Sequence, residues 1–553
     1  MKILKYINYV LIATLFLTVS NCDYLDYDET SFNRKDDVFT DFNRSKNFLT
    51  AIYNYLPTDF NSIDGAMRAS ASDEAEHVFD LSDIQRFNQG RYSPLQPIDN
   101  VWGNMYSGIR AANMFLVETA GQEFLEDQYN LDYGEIIEQF NNYAYEARFL
   151  RAFFYFELVK RYKNIPLITE VLTPEEAINA QQSSFNEVVD FIISECDAIA
   201  LELPEDYSNF SSESETGRAT RGAALALKAR TLLYAASPLH NTSNEVSLWV
   251  DAANAAKSVI DLNAYTLENN YSNIVNNFTS NELIFERREG NTNGFERRNF
   301  PVGYEGGNTG TCPTQNLVDA YEMQSNGLPI TDPASGYDPT NPYSGRDPRL
   351  QRTVIINGST WKGQTVQSFI GGANGQPIAF ATKTGYYLKK YVIEAINLLP
   401  TNTTTREHTW VLFRYGEVLL NYAEAMNEAY GPENAATLGM TALDAVNEIR
   451  QRANMPNFPS GLTQEEFREK LRNERMVELA FEDHRFWDIR RWEIGEQTED
   501  IFQMEIRPDN SGTGFIFEKK LLEVRPFEDR MNLYPIPQAE LFKNTNLTQN
   551  TGW

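Results

Sequence analysis

The densest reactive chemistry in this chain lies between Arg472 and Arg491, where Glu474, Glu478, Glu482, Asp483, His484 and Asp488 crowd together. Two carboxyl groups can cleave a glycosidic bond when one is held protonated and the other acts as nucleophile or base. The same stretch also carries Arg472, Arg475, Arg485, Arg490 and Arg491. Guanidinium groups interleaved with carboxylates at helical spacing form ion pairs, and ion pairing keeps an acid ionised. The pattern therefore favours a structural seam over a hydrolytic centre. No serine nucleophile elbow and no phosphate-binding glycine loop is evident. The four histidines, His77, His240, His408 and His484, are dispersed, so no zinc motif is visible.

The elements that must position these groups are mostly helices. The strongest is Tyr143 to Tyr162, in which Ala147, Leu150, Phe154 and Leu158 recur at three- or four-residue steps. Phe149, Phe153 and Phe156 widen that stripe until the helix is apolar nearly all round, which predicts a helix buried on several sides. Pro166 ends it. Further helices are expected near Phe42 to Tyr55, Trp102 to Glu118, Thr220 to Ala236, Trp249 to Asp261, Val411 to Ala429, Ala442 to Arg452 and Thr463 to Phe481. Thr173 with Glu176, Ser184 with Glu187 and Thr463 with Glu466 have capping-box spacing, which satisfies free backbone donors at helix starts. From Asn281 to about Glu407 glycines and prolines crowd in between short β-type runs such as Thr353 to Ile356 and Tyr386 to Leu388. This stretch reads as a loop-rich α/β insertion. The pairing of long helices suggests tetratricopeptide-like repeats, though without their strict consensus.

The first residues bear on location. Lys2 and Lys5 precede an apolar run from Tyr6 to Val19, too short to span a bilayer comfortably but suited to a signal peptide. Val19-Ser20-Asn21-Cys22 resembles a bacterial lipoprotein cleavage site, with Cys22 as the lipidated residue. An ordinary cleaved signal with an incidental cysteine is the alternative. Residues 1–21 would be the signal peptide and 22–40 a tether. The acidic start of that tether (Asp23, Asp26, Asp28, Glu29) resembles the surface-export signal of some lipoproteins, which points to the outer face of an outer membrane.

The composition excludes one class of partner. With 77 acidic against 48 basic residues the chain carries a net charge of −29. Such a surface repels phosphate backbones, so no nucleic-acid partner is expected. A hydrophobic content of 42% is ample for a folded core. Beyond Cys22 only Cys196 and Cys312 remain, too few for a disulfide framework.

Several segments together resemble the SusD/RagB family. They are EARFLRAFFYFELVKRYKNIPLI, FRYGEVLLNYAEAMNE, RNERMVELAFEDHRFWDIRRW, the ending NLYPIPQAELFKNTNLTQNTGW and, in the middle, CPTQNLVDAYEMQSNGLPI. They occur in the family's order along nearly the whole chain after Cys22. The resemblance implies a mainly α fold, a tetratricopeptide-like scaffold with a loop-rich α/β insertion. Divided on that basis, residues 41–280 form a helical part with binding loops, 281–407 the insertion and 408–553 a C-terminal helical part. It implies a lipid-anchored, non-enzymatic protein that captures a glycan and acts as a lid on a SusC-like TonB-dependent transporter. A RagB-like peptide-binding function is the alternative. The acidic loops would allow a structural calcium ion, but no EF-hand pattern is present and no cofactor is predicted.

A glycan surface needs aromatic faces ringed by polar side chains. Two irregular stretches offer both. The segment before Trp102 supplies Asp73, His77, Phe79, Arg91 and Tyr92; the later loops supply Phe295, Tyr304, Arg346, Trp361 and Tyr391. Among the tryptophans, Trp361 has the surroundings that favour exposure.

Overall fold

The computed structural model describes residues 35–207, 215–510, 512 and 514–553. The signal peptide, the lipidation site Cys22 and most of the tether lie outside these residues. At the start of the described chain a short helix, Lys35–Phe39, is tied through Lys35 to Glu118.

Among the described residues nine long helices build the scaffold: α1 (Phe42–Ile52), α2 (Trp102–Glu118), α3 (Tyr133–Tyr162), α4 (Phe185–Ala200), α5 (Arg221–Ala236), α6 (Val246–Ile260), α7 (Tyr415–Tyr430), α8 (Ala442–Arg452) and α9 (Gln464–Glu478). Each packs on its neighbour, from α2 on α3 through to α8 and α9 on α7. This is the helical-repeat scaffold of a mainly α fold, in which each helix buries its apolar face against its neighbours. Helix α3 starts ten residues before the aromatic run, and from Tyr143 onward it is almost wholly buried. Its charged residues are satisfied inside the core, where Glu157 accepts from Lys160 and Arg161 at 2.6 Å each. All three expected capping boxes form, at Thr173, Ser184 and Thr463.

The strands are short pairs: β1 (Ala75–His77), β2 (Leu283–Thr292), β3 (Thr311–Pro313), β4 (Arg406–Arg414), β5 (Asp500–Pro508) and β6 (Phe515–Val524). The pairs β1–β3, β2–β4 and β5–β6 are all antiparallel. One expectation is corrected here. Val411 to Arg414 is not the first turn of a helix but the end of β4, and α7 begins only at Tyr415. The run Trp410-Val411-Leu412-Phe413 suits a strand, and its partner β2 comes from a distant part of the chain.

A single hydrophobic core draws on residues from Phe39 to Ile536. A smaller cluster around Phe300, Ile355, Trp361, Tyr387 and Ile396 fills the loop-rich stretch. Among the described residues no helix is long and apolar enough to cross a membrane.

Candidate functional site

The acidic cluster resolves into a buried ionic seam. Arg349 reaches Glu474 at 2.5 Å and Glu478 at 2.9 Å, and Arg414 reaches Glu282, Glu478 and Glu482 at 2.5, 2.8 and 2.6 Å. Arg450 bridges Glu474 to Glu322, and Lys390 holds Glu482 at 2.6 Å. The short helix α10 (Arg485–Arg491) continues the seam, with Asp488 bound by Arg475 and Arg491. Burial alone would raise the carboxyl pKa of Glu478, but Arg452, Arg414 and Arg349 outweigh it and hold the group well below its usual range. Burial is likewise outweighed at Glu482 by Arg414 and Lys390. Carboxylates locked in the ionised form cannot serve as the proton donor that glycoside cleavage needs. The seam ties α9 and its neighbours to the β2–β4 strand pair.

A cleft lined by aromatic and apolar side chains lies elsewhere, where two loops meet. Strand β1 is held by β3 in the register Ala75↔Pro313 to His77↔Thr311, and the chain then leaves the sheet as Val78 to Leu81. The loop from Gln376 to Lys383 faces it, and a cleft of about 520 Å³ lies between them. Phe79 and Phe380 line it, their ring centroids 5.1 Å apart and their planes inclined at 51°. Leu81 is 98% exposed and Phe380 54% exposed, so both present apolar surface to solvent. Phe380 has φ +62°, a left-handed conformation that costs a bulky residue about 1–2 kcal/mol.

Lys383 clamps the two loops together. Its ammonium group donates to Glu76 and to the His77 carbonyl at 3.0 Å each, and to Asp80. Burial disfavours the charged lysine, yet the carboxylates of Glu76 and Asp80 overcome it and raise its pKa. Behind the cleft His77 is fully buried, packs at 5.3 Å from Phe79, and has no hydrogen-bond partner at either ring nitrogen. Burial pushes its pKa down to about 4.

The other candidate residues are placed differently. Asp73 is buried and paired to Arg485 through two contacts of 2.8 Å. Tyr92 is buried between Phe87 and Trp553, and Phe295 packs 4.9 Å from Phe60. Arg346 is buried and donates to the carbonyls of Val318, Tyr321 and Pro342. Tyr391 stacks on Trp410 at 4.7 Å, and half-buried Tyr304 lies against the smaller core cluster. Arg91 is exposed but stands outside the lining of the cleft. The expected exposure of Trp361 is overturned, since it is 1% exposed and sits edge-on to Phe300 at 5.9 Å. The cause is strand alternation. In the two-residue strand Thr360–Trp361 the threonine points outward, so the indole must point inward. Of the ten, Phe79 alone lines the cleft, with His77 supporting it from beneath. Asp80, Leu81, Ile378, Phe380 and Lys383 were missed, though a lone phenylalanine in the run Gly371 to Gly385 was a usable signal. Among the described residues no group of three or more acidic, histidine or cysteine side chains is placed to hold a metal ion.

The molecule is thus an ion-locked helical scaffold that carries an aromatic cleft on its loops. Comparison with known proteins takes this further. A family model described as the SusD family matches residues 281–553, and one described as starch-binding and associating with the outer membrane matches residues 23–233. A solved SusD-like protein from Bacteroides fragilis is 28% identical with a TM-score of 0.78, covering 94% of this chain and 98% of that one. A SusD-like carbohydrate-binding protein from the same species is 27% identical with a TM-score of 0.75, covering 92% and 100%. SusD-like protein P2 of Formosa agariphila is 26% identical over 81% of this chain and 79% of its own. The chain belongs to the SusD/RagB family of carbohydrate-binding proteins and is not an enzyme.

Proposed function

We propose that the protein captures a glycan at the cell surface in the cleft between Phe79 and Phe380 and passes it to a SusC-like TonB-dependent transporter, over which it acts as a lid. Lipidation at Cys22 would hold it on the outer membrane, facing outward. The observation that carries the reading is the exposed Phe380 ring, on a left-handed backbone position, beside Phe79 in the cleft. The ring faces offer the C–H surface of a sugar a large contact area with few rotors to freeze. The family descriptions support the glycan and the membrane. The apolar character of Val78, Leu81, Pro377 and Ile378 favours one second reading, a RagB-like capture of peptides.

Calorimetric titration of the chain without residues 1–22, against polysaccharides and a peptide digest, tests both readings. Heat with a polysaccharide and no product released supports glycan capture. Heat with peptides and silence on every glycan moves the protein to the second reading.

A further inference from the structure

The charge of the cleft narrows the class of ligand, given the glycan reading on which this inference rests. The chain carries a net charge of −29. A polyanionic ligand would therefore need cations at its binding surface to overcome repulsion. Among the residues that line the cleft, Lys383 is the only cation. An ammonium group has three protons to donate. Those of Lys383 are engaged by Glu76, the His77 carbonyl and Asp80. Glu76 is shared with buried Arg525, and Asp80 is the second carboxylate on Lys383, so the lysine is a clamp between the loops with no N–H left for a ligand. The other charge in the lining is Asp80, largely exposed and paired to Lys383. Arg86 is bound to Asp83 and Gln96, and Arg298, packed against Gly65, does not line the cleft.

We infer that the cleft takes an uncharged saccharide chain, held by ring contacts and hydroxyl hydrogen bonds, and rejects chains that carry uronate or sulfate groups. Binding of this kind has little dependence on ionic strength, because no ion pair forms across the interface.

The test is calorimetry with neutral oligosaccharides and with uronate-bearing and sulfated ones of the same length, at low and high salt, on the chain without residues 1–22 and its Phe380→Gly variant. The expected result is heat with a neutral chain alone, an affinity that changes by less than about twofold with salt, and loss of that heat in the variant. An acidic chain that binds, weakens steeply with salt and is lost in the variant overturns the inference and leaves glycan capture standing. Silence with every glycan overturns both.

Discussion

The ionic seam and the loop cleft draw on similar residues, acids with basic partners among aromatic rings, and put them to opposite uses. In the seam buried charges answer one another, as where Arg414 meets three glutamates. In the cleft Lys383 shares the buried Glu76 with Arg525, and the apolar side chains of Leu81 and Phe380 remain open to solvent. The difference shows that a crowd of reactive residue types is not by itself a site. What separates the two is whether the groups have satisfied one another.

Three substitutions would break or sharpen that contrast. The largest effect is expected from Arg414→Met, which takes one buried cation away from three buried glutamates. Chemical denaturation should show a loss of about 3–5 kcal/mol, while the folded fraction still binds ligand with unchanged affinity. Next is a pH effect at His77. The folded protein holds it neutral, titrating near 4 instead of 6.5, so its unfolded form takes up a proton first as the pH falls. The stability it contributes is full above pH 6.5 and is lost toward pH 4. Between pH 7 and 4 the protein should lose about 3 kcal/mol more than its His77→Phe variant, measured by urea unfolding at each pH. The smallest effect belongs to Arg91→Ala. As an exposed residue outside the cleft, it should change neither stability nor affinity by more than about 0.5 kcal/mol.

The scaffold was readable in the sequence because its signals are local and periodic. The aromatic stripe of α3 and the capping boxes each rest on residues within a few positions of one another. The end of β4 was not readable, because β2 makes it a strand from far along the chain. Most of the candidate binding residues failed for a related reason. Trp361 sits in a glycine-rich stretch that suggests exposure, yet the alternation of a two-residue strand turns it inward. Arg346 and Tyr92 look like ligand contacts by type, but the first binds backbone carbonyls and the second packs between two rings. Phe79 and Phe380 meet only when two distant loops are clamped by Lys383.

Phe380→Gly offers the most direct test of the claim that the cleft binds ligand. The change deletes the exposed ring and also relieves the left-handed backbone at that position, since glycine adopts it without steric cost. Binding and folding are thereby driven in different directions. The account predicts affinity for the captured glycan weakened by about tenfold or more, with a melting temperature unchanged or raised. An unchanged affinity in a well-folded variant would contradict it.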